Sequence, residues 1–455
     1  MCKNNVLSRK TKILATIGPS LENVLNDALK KADGIRFNMS HANIEYCKRF
    51  SDIIKNHGLP RIMDLEGIKI RVKEIKGKTE ILEVKEGEKI DIMNDLVLSY
   101  IPKKLREGDR ILICDGKIEL EVCEIKENSI IAVAKNSGVI EKGNGVNFPD
   151  TDIDLPAVTE KDMKNLEFAI QEDFEYVCIS FVKTKEDVKI VRDFVEEKKG
   201  DISIISKIET NEAVRNLEEI IKESDGILVA RGDLGVEVPV EKLPIIQKEI
   251  LRKANSHGKL TITATHILHS MVKNDYPTRA EVTDIANAIF DGSDCLMLSN
   301  ETAIGKHPLK VLEVLDKICR EVEKSIDVFG YKADCIAIPE ATLFFAVKEI
   351  LNKITPDTIV VPTYSGKAGI YVSKMRPYGN IYCLSFKEST KRKLRLAWGV
   401  LPYTSELSTD GDFEEILETA RKVAMEKTKK GKYLIAFSYP PGKRKTHIIE
   451  FEEIK

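Results

Sequence analysis

The sequence has no Cys-x-x-Cys pair, no long apolar run and no excess of one charge, and each absence excludes a class of protein. Its nine cysteines are scattered, and a chain of 455 residues needs no disulfide framework, so we expect reduced, structural thiols. No stretch approaches the roughly 18 apolar residues of a membrane span. Residues 1–12 are basic but do not lead into the apolar core of a signal peptide. We therefore expect a cytoplasmic protein that does not bind a membrane.

The charge balance and the hydrophobic content point to a large globular protein. The 71 Lys and Arg residues nearly balance the 73 Asp and Glu residues, which leaves a formal net charge of -2. That balance gives no overall electrostatic reason to bind nucleic acid. The hydrophobic fraction of 42% is enough for packed cores. At roughly 150 residues per domain, the length predicts about three domains.

Short apolar runs alternate with amphipathic segments through much of the chain, which is typical of a parallel sheet covered by helices. Thr159 and Asp162 have the spacing of a capping box and predict a helix over residues 160–172. Eight such units favour a closed (β/α)8 barrel over an open sheet. The eight predicted strands are residues 12–17, 34–39, 61–65, 177–181, 202–207, 226–231, 259–265 and 295–299.

Two further regions do not follow the barrel pattern. Residues 68–153 alternate apolar and polar side chains with period two and contain turn signals such as Asp115-Gly116, which predicts a small inserted β-barrel domain. After residue 330 helical segments alternate with strands at 357–362, 380–385 and 433–438, which predicts an open α/β domain. The predicted division is barrel over 1–67, inserted β domain over 68–153, barrel over 154–330 and C-terminal α/β domain over 331–455.

Polar residues stand at the carboxyl ends of the predicted barrel strands, where barrels of this kind build their active sites. They are Arg36, Asn38, Ser40 and His41 after strand two, Asp64 after strand three, Lys207 and Glu209 after strand five, Arg231 and Asp233 after strand six, Thr263, Thr265 and His266 after strand seven, and Ser299 and Glu301 after strand eight.

This set of side chains predicts metal-assisted chemistry on an anionic substrate. Glu209 and Asp233 on adjacent strands can share a Mg2+ ion, which prefers a few carboxylate oxygens and keeps positions for water and phosphate oxygens. Lys207 lies two residues before Glu209 and therefore on the same side of its strand, where it can neutralise a moving phosphoryl group. Arg36 can act as a second cationic clamp. A Mg2+-dependent lyase or aldolase that passes through an enolate fits the same side chains.

Seven motifs in order along the chain resemble those of the pyruvate kinase family. They are TKILATIGPS at 11–20, RFNMSH at 36–41, GVNFPDTDIDLPAVTEKD at 145–162, ISKIE at 205–209, DGILVARGDLGVEVP at 225–239, TATHILHSM at 263–271 and PTRAEVTDIANAIFDGSDCLMLSNETAIGKHP at 277–308. The resemblance implies transfer of a phosphoryl group between phosphoenolpyruvate and ADP, giving pyruvate and ATP in glycolysis. It also implies Mg2+, with Mn2+ as a substitute, and a homotetramer.

The resemblance assigns roles to single residues of this sequence. Lys207 would stabilise the transferring phosphoryl group, and Glu209 and Asp233 would hold Mg2+. The backbone of Ala230, Arg231 and Gly232 would receive the substrate carboxylate, because a helix begins there. The remaining implied roles are proton addition near Thr265, phosphate binding by Arg36, nucleotide binding by Asn38, His41 and Arg71, and a proton relay through Ser299 and Glu301. Asp115 lies in the inserted domain, whose closure would exclude water.

One departure from the family pattern concerns potassium. After Asp64 the sequence reads Leu65-Glu66-Gly67-Ile68-Lys69, whereas most potassium-requiring members have Thr-Lys-Gly-Pro-Glu. The sequence therefore resembles the potassium-independent members. Asn38, Ser40, Asp64 and Leu65 form the monovalent-cation region, and the tethered ammonium of Lys69 is the expected substitute for the ion.

Other departures and the last domain leave further hypotheses open. His266, His269, Asn300, Asn144, Cys114 and Val282 differ from the usual family residues without touching Lys207, Glu209 or Asp233. A non-catalytic paralogue that binds phosphorylated metabolites is therefore a third hypothesis. Thr363, Ser365, Gly366 and Lys367 resemble the family's phosphate loop, which predicts a phosphorylated allosteric effector.

Overall fold

The computed structural model describes residues 9–76, 80–326, 342–404, 412–439 and 446–455. The predicted boundary after residue 330 lies outside these residues. The chain begins with three strands and three helices in alternation. They are β1 (Lys12–Thr16), α1 (Pro19–Glu22), α2 (Leu25–Ala28), β2 (Gly34–Asn38), α3 (Ile44–Asn56) and β3 (Arg61–Asp64).

Short antiparallel strands follow and form the inserted β domain. They are β4 (Val72–Ile75), β5 (Ile81–Val84), β6 (Lys89–Asp91), β7 (Leu96–Leu98), β8 (Arg110–Ile113), β9 (Ile118–Lys126), β10 (Ser129–Ala134), β11 (Gly138–Glu141) and β12 (Val146–Asn147). The β8–β9 turn has the predicted Asp115-Gly116 pair, and both residues have positive φ, which a tight hairpin turn requires. The inward side chains of these strands form their own hydrophobic core.

The βα alternation resumes after the inserted domain. Its elements are α4 (Glu160–Gln171), β13 (Tyr176–Ile179), α5 (Lys185–Glu197), β14 (Ser203–Ile208), α6 (Asn211–Arg215), α7 (Leu217–Glu223), β15 (Gly226–Ala230), α8 (Arg231–Glu237), α9 (Leu243–Ser256), β16 (Leu260–Ala264), α10 (Arg279–Phe290), β17 (Cys295–Leu298), α11 (Asn300–Ala303) and α12 (Pro308–Glu323). Short 3-10 helices occupy Val240–Lys242 and His269–Val272. Thr159 and Asp162 form the predicted capping box at the start of α4.

The last part of the chain forms a separate sheet with helices. Its elements are α13 (Thr342–Lys353), β18 (Thr358–Thr363), α14 (Lys367–Lys374), β19 (Asn380–Ser385), α15 (Glu388–Leu394), β20 (Val400–Thr404), α16 (Phe413–Thr428), β21 (Gly431–Tyr439) and β22 (Thr446–Ile454). The strand order is β20-β19-β18-β21-β22, and the pairs are parallel except β21 with β22. This open α/β arrangement was predicted.

In the described part of the chain, eight strands close into a parallel barrel in the order β1-β17-β16-β15-β14-β13-β3-β2. The predicted (β/α)8 barrel is therefore confirmed, and each predicted strand lies within about two residues of an observed one. Alternate side chains fill the barrel interior, among them Leu14, Ile205 and Ile262. Leu396 of the C-terminal domain belongs to the same buried cluster and closes the barrel from its N-terminal end.

A repeated carboxylate contact joins the barrel strands in sequential pairs. An acidic residue immediately precedes every second barrel strand. Its carboxylate accepts a hydrogen bond from a backbone amide near the start of the preceding barrel strand. The contacts, each 2.8 Å, are Ile13 to Asp33, Arg61 to Glu175, Ile204 to Asp225 and Thr261 to Asp294. They fix the register of β1 with β2, β3 with β13, β14 with β15, and β16 with β17.

Two of these carboxylates also bind cations of the C-terminal domain. Asp294 pairs with Lys374, at the end of α14, and lies 2.9 Å from the Arg376 guanidinium. Glu175 lies between Arg61 of β3 and Arg392 of α15, at 3.2 and 2.5 Å. All six side chains are buried. The C-terminal domain is therefore attached to the N-terminal end of the barrel through buried ion pairs.

Within the described part of the chain, no helix has the length and apolar character needed to span a membrane.

Candidate active site

Asp64 lies at the centre of a buried charge cluster at the carboxyl end of the barrel strands. Its Oδ2 accepts hydrogen bonds from Arg36 Nε at 2.7 Å and from Arg36 Nη2 at 2.5 Å. Its Oδ1 lies 3.3 Å from Lys207 Nζ. Arg36 also donates from Nη1 to Thr16 Oγ1 at 3.0 Å. Strands β1, β2, β3 and β14 thus bring these four residues together, because all of them end at the same rim.

Lys207 joins this cluster to Glu209. Its Nζ lies 2.9 Å from Glu209 Oε1 and donates to Ser180 Oγ at 2.8 Å. The other oxygen of Glu209 accepts a hydrogen bond from the Phe181 amide at 2.8 Å. Glu209 is 1% exposed, so its charge depends on these partners rather than on water.

The pKa values in the cluster follow from burial and from neighbouring charge. Burial alone would lower the pKa of Lys207, but the carboxylates of Asp64 and Glu209 outweigh it and raise that pKa above its ordinary value. Burial would raise the pKa of Asp64, yet Lys207 and Arg36 hold it below its ordinary value. Burial raises the pKa of Glu209, and nearby Asp233 adds to the rise while Lys207 opposes it.

Asp233 lies in the first turn of α8 and provides a second carboxylate at the rim. Its Oδ1 lies 3.2 Å from Lys69 Nζ, and the same ammonium lies 3.9 Å from Asp115 of the inserted β domain. Asp233 is about one third exposed and therefore accessible to a ligand. Lys69 thus connects the inserted domain to the barrel rim.

Glu209 and Asp233 together suit a Mg2+ ion. A divalent cation between them would offset the repulsion and burial that raise the pKa of Glu209. Mg2+ is typically held by one or two carboxylates and otherwise by water and substrate oxygens. Among the described residues, no group of three or more His, Cys, Asp and Glu side chains has the geometry of a metal site, so a site made wholly of such side chains is not formed there.

Thr265 follows β16 in a strained turn that α8 holds in place. Thr265 and His266 both have positive φ, at 65° and 54°. The Thr265 hydroxyl accepts a hydrogen bond from the Gly232 amide at 2.8 Å, and Arg231 Nη2 donates to the Thr265 carbonyl at 2.6 Å. Arg231 is held in turn by Asp284 of α10 at 2.5 Å. The predicted Ala230–Gly232 segment therefore begins a helix beside Thr265, as the sequence indicated.

Ser299 and Glu301 lie at the end of β17. The Ser299 amide donates to Glu301 Oε2 at 2.7 Å, and Glu301 is 1% exposed. Ser299 therefore carries a hydroxyl at the rim, and the buried carboxylate of Glu301 fixes its backbone.

A cavity of about 460 Å3 opens beside this rim. Its polar walls are Arg36, Asn38, His41 and Ser299, and its apolar walls include Tyr46. The remaining residues that line it are Thr16, Ile17, Gly18, Pro19, Ala42, Asn300, Ala303 and Ile304. Tyr46 Oη donates to Glu22 at 2.6 Å, which fixes the ring at the cavity wall. The cavity has the size of a small-molecule site and carries cationic and polar groups at one end.

Several predicted site residues lie apart from this arrangement. Arg71 is exposed in the inserted domain and donates to the Gly143 carbonyl at 3.0 Å. Leu65 is 1% exposed and packs in the core, so only its backbone lies near the cluster. Ser40 is exposed, and its amide lies 3.3 Å from Asn38 Oδ1.

The predicted effector loop lies in the C-terminal domain, remote from the barrel rim. Thr363 Oγ1 accepts a hydrogen bond from the Gly366 amide at 3.0 Å, and Gly366 has φ of 85° at the N-cap of α14. Ser365 and Lys367 are exposed at this helix start. The loop therefore has the conformation of a polar turn before a helix.

Two pairs of unusual residues are in contact with each other. Cys114 Sγ donates to Asn144 Oδ1 at 2.8 Å, so these two inserted-domain residues form a neutral pair. The rings of His266 and His269 meet edge to face at 5.6 Å between centroids. Burial lowers the pKa of His266 below its ordinary value, and the neighbouring His269 adds a smaller effect in the same direction. Four of the six departures thus occur as two local pairs rather than as isolated changes.

Thr16 and Ser180 were missed as site residues, although they follow the rule that found the others. They stand after the first and fourth barrel strands and contact Arg36 and Lys207. The strand-end rule, by which polar residues at the carboxyl ends of barrel strands form the site, predicts both when it is applied to all eight strands. Glu22 gave no such signal, because its contact with Tyr46 joins two separate helices.

Comparisons with known proteins agree along the whole chain. The family model described as "Pyruvate kinase, barrel domain" matches residues 8–312, and the one described as "Pyruvate kinase, alpha/beta domain" matches residues 341–448. A pyruvate kinase of Methanocaldococcus jannaschii is 49% identical over 98% of this chain and 99% of its own length. One of Thermotoga maritima is 37% identical over 96% and 97%. A solved pyruvate kinase structure from Cryptosporidium parvum superposes with a TM-score of 0.88 at 31% identity, covering 100% of this chain and 98% of that one.

Proposed function

Because the chain belongs to the pyruvate kinase family and transfers the phosphoryl group of phosphoenolpyruvate to ADP in glycolysis, we propose that Lys207, Glu209 and Asp233 are the centre of that reaction. The observation that supports this assignment is the joining of Arg36, Asp64, Lys207 and Glu209 in one buried cluster, next to Asp233. The family assignment also excludes the lyase or aldolase hypothesis.

Lys207 and Arg36 act on the phosphoryl group. The raised pKa keeps Lys207 protonated, so an ammonium faces the charge that spreads over the phosphoryl oxygens during transfer. Arg36 lines both the cluster and the cavity and can therefore bind a phosphate while Asp64 orients it. Neither cation needs to move far, because Asp64 holds both.

Glu209 and Asp233 would hold Mg2+, for which Mn2+ can substitute. When bound, the ion supplies positive charge to the substrate oxygens and to the phosphoryl group. The chain's own contribution is to position the two carboxylates, since Lys207 contacts Glu209 and Lys69 contacts Asp233.

The start of α8 and Thr265 bind the rest of phosphoenolpyruvate. The helix start formed by Ala230, Arg231 and Gly232 offers backbone amides to the substrate carboxylate. Thr265 contacts the Gly232 amide and therefore lies next to that carboxylate and to the enolate carbon. After the phosphoryl group leaves the enol oxygen, that carbon takes a proton to give pyruvate. Ser299, fixed by Glu301, relays the proton.

ADP occupies the cavity of about 460 Å3 that Asn38 and His41 line. Tyr46 supplies a flat wall on which a base can stack. Arg71 and Asp115 belong to the inserted β domain, and they reach the nucleotide when that domain closes over the rim as a lid. Closure excludes water and so protects the transfer from hydrolysis.

Activity does not require potassium, because Lys69 supplies the charge of a monovalent cation. Its ammonium lies 3.2 Å from the carboxylate of Asp233 and 3.9 Å from that of Asp115. The test compares the rate in KCl with that in tetramethylammonium chloride at equal ionic strength, for the native chain and for Lys69→Glu. The native rate is expected to change less than twofold, and that of Lys69→Glu to depend on potassium. Strict potassium activation of the native chain would exclude this role.

A coupled assay for pyruvate tests the whole assignment of residues. Phosphoenolpyruvate, ADP and Mg2+ are supplied to the native chain and to Glu209→Gln and Asp233→Asn. Both variants are expected to need higher Mg2+ and to lose most of their rate. A native rate in both would remove the two carboxylates from the proposed site, and no pyruvate from the native chain would favour the non-catalytic paralogue.

The remaining assignments rest on family membership. They are a homotetramer, a cytoplasmic location, domain boundaries after residues 67, 153 and 330, and a phosphorylated effector at Thr363, Ser365, Gly366 and Lys367. The exposed Ser365 and Lys367 at a helix start support an anion site. Light scattering of the purified chain tests the tetramer. Titration with phosphorylated metabolites tests the effector, with Lys367→Glu as the variant expected to lose the response.

A further inference from the structure

Glu237 is a buried carboxylate at the end of α8 to which the reaction assigns no role. It is 6% exposed. Its Oε1 accepts a hydrogen bond from Asn147 Nδ2 at 2.6 Å, and the carboxylate also accepts the backbone amide of Asn211. These two hydrogen bonds compensate for the burial of the Glu237 carboxylate. Because losing either bond would leave part of that cost uncompensated, the side chain is fixed in position.

Glu237 and its two partners lie on three different segments near the site. Asn147 ends β12, the last strand of the inserted β domain. Asn211 begins α6, two residues after Glu209. Glu237 itself follows Asp233 by one helical turn, so the two carboxylates lie on the same face of α8. One carboxylate therefore contacts the inserted domain and the segments that carry both proposed metal ligands.

Packing alone does not fix this junction. A cavity of about 50 Å3 lies beside it, lined by Asn147, Thr210 and Glu237 among others. On the outer side of α8, a Cβ atom at Gly116 would lie 3.5 Å from Val236, so the β8–β9 turn of the inserted domain also reaches this helix. Because space remains inside the junction, the hydrogen bonds of Glu237 determine its geometry.

We propose that Glu237 is a positioning residue that couples closure of the inserted β domain to the geometry of Glu209 and Asp233. This inference rests on the metal-binding role proposed for those two residues. When the inserted domain moves, Asn147 carries Glu237 with it and turns α8, which reorients Asp233. The coupling is reciprocal, so a metal ion at Glu209 and Asp233 shifts the equilibrium of the inserted domain toward its closed position by the same factor by which closure tightens metal binding.

The test uses Mn2+ alone and the full chain without substrates. Free Mn2+ is measured by electron paramagnetic resonance, so the readout does not depend on activity. Asn147→Ala changes neither proposed metal ligand, yet it is expected to weaken Mn2+ binding about 5- to 10-fold, at the lower end of typical couplings between sites. In the native chain, Mn2+ is expected to slow amide hydrogen exchange over residues 146–153, and in Asn147→Ala this slowing is expected to disappear.

Asp152→Asn is the matched control. Asp152 lies in the same return segment and pairs with Arg215 of α6, but both side chains are about half exposed. Its removal is expected to leave Mn2+ affinity unchanged, because exposed ion pairs contribute little. Equal weakening by Asp152→Asn and Asn147→Ala would contradict a specific role for Glu237.

Two further variants separate the inference from the proposed function. Glu237→Gln is expected to weaken Mn2+ binding, and its combination with Asn147→Ala is expected to be no worse than the stronger single variant. Additive effects, or native affinity in a folded Asn147→Ala, would overturn the coupling. If Glu209→Gln and Asp233→Asn bind Mn2+ normally, the metal site itself is wrong. If they lose Mn2+ while Asn147→Ala binds normally, only the role of Glu237 fails.

Discussion

Asp64 at the carboxyl end of the barrel and Asp294 at the amino end are each buried beside two cations, Arg36 and Lys207 in one case and Arg376 and Lys374 in the other. At the carboxyl end, the cluster borders an open cavity and a partly exposed Asp233. At the amino end, the C-terminal domain covers the cluster, and Lys374 is fully buried.

The comparison distinguishes a buried charge cluster that borders a proposed ligand site from one that holds two domains together. A buried ion pair rarely stabilises a protein more than a well-packed apolar contact, but removing one partner is costly. At the carboxyl end that cost is expected to affect catalysis, because the proposed substrate and metal sites border the cluster. At the amino end both partners come from the chain, so loss of one is expected to lower stability and leave the chemistry unchanged.

The largest effect is expected from Asp294→Asn. Lys374 then remains buried without the carboxylate with which it pairs, which is expected to lower the free energy of unfolding by about 3–5 kcal/mol. Urea unfolding followed by circular dichroism measures the loss, and kcat of the folded variant is expected to stay within about twofold of native.

Asp201→Asn provides the control at the same domain contact. Asp201 pairs with Lys393 but is 63% exposed, so less than about 1 kcal/mol is expected. If the two variants lose similar stability, or if Asp294→Asn loses rate before stability, the division between the two barrel ends is wrong.

The next-largest effect is a loss of catalytic rate, expected at the carboxyl end of the barrel. Lys207→Met removes the ammonium proposed to face the phosphoryl group, and kcat is expected to fall about 100- to 1,000-fold with phosphoenolpyruvate still bound. The coupled pyruvate assay and a direct binding titration measure the two quantities. Lys198→Met, at a surface ion pair with Glu167, should keep the native rate. A rate near native for Lys207→Met would contradict its role.

A pH dependence distinguishes the two lysines. Burial lowers the pKa of Lys374 to about 8, although Asp294 opposes the shift, whereas the ordinary value is 10.5. Between these values the unfolded chain binds a proton that the folded chain lacks, so raising the pH favours the folded state. The pKa of Lys207 is raised instead, so Lys207 stays charged in this window.

The free energy of unfolding of the native chain is therefore expected to rise with pH near pH 9. Its slope is expected to exceed that of Lys374→Met by up to about 1.4 kcal/mol per pH unit. Urea unfolding at pH 8, 9 and 10 measures both slopes. Parallel slopes for the two proteins would show that Lys374 does not titrate there.

The smallest effect concerns the nucleotide. Tyr46→Phe removes the 2.6 Å hydrogen bond to Glu22 and frees the ring that lines the cavity. KM for ADP is expected to rise about 2- to 5-fold, in line with the loss of one hydrogen bond, while KM for phosphoenolpyruvate stays unchanged.

Tyr176→Phe is the control at the opposite barrel end, where the hydroxyl donates to the Lys393 carbonyl at 2.9 Å. It is expected to change neither KM. An equal rise of both KM values in Tyr46→Phe would indicate a general disturbance rather than a wall of the nucleotide site.

Periodicity alone predicted the barrel, since buried parallel strands are apolar runs of five or six residues between amphipathic helices. The strand-end rule also predicted which residues share a rim, and Lys207 and Glu209 lie together as expected. It did not predict distances or partners. Lys69 with Asp233 and Asn147 with Glu237 are contacts between residues 164 and 90 positions apart, which depend on how the inserted domain lies on the barrel.

The C-terminal domain was predicted as a fold but not as a partner of the barrel. Lys374 and Arg392 gave no signal, because a lysine or arginine at the end of a helix is ordinarily a solvated residue. Their burial follows only from the docking of α14 and α15 against Asp294 and Glu175. Leu396 at the barrel axis likewise could not be told from any other leucine.

The paired carboxylate contacts of the barrel have a consequence for how the protein can be rebuilt. Three of them span 20, 21 and 33 residues, but the contact from Arg61 to Glu175 spans 114, because the inserted β domain lies between its partners. That contact closes the barrel wall beneath the insertion. A shortened chain that passes from Asp64 to Thr159 by a tight turn would keep all four contacts. The inserted domain is thus an interchangeable module, on whose site another domain could be grafted while the barrel below still closes.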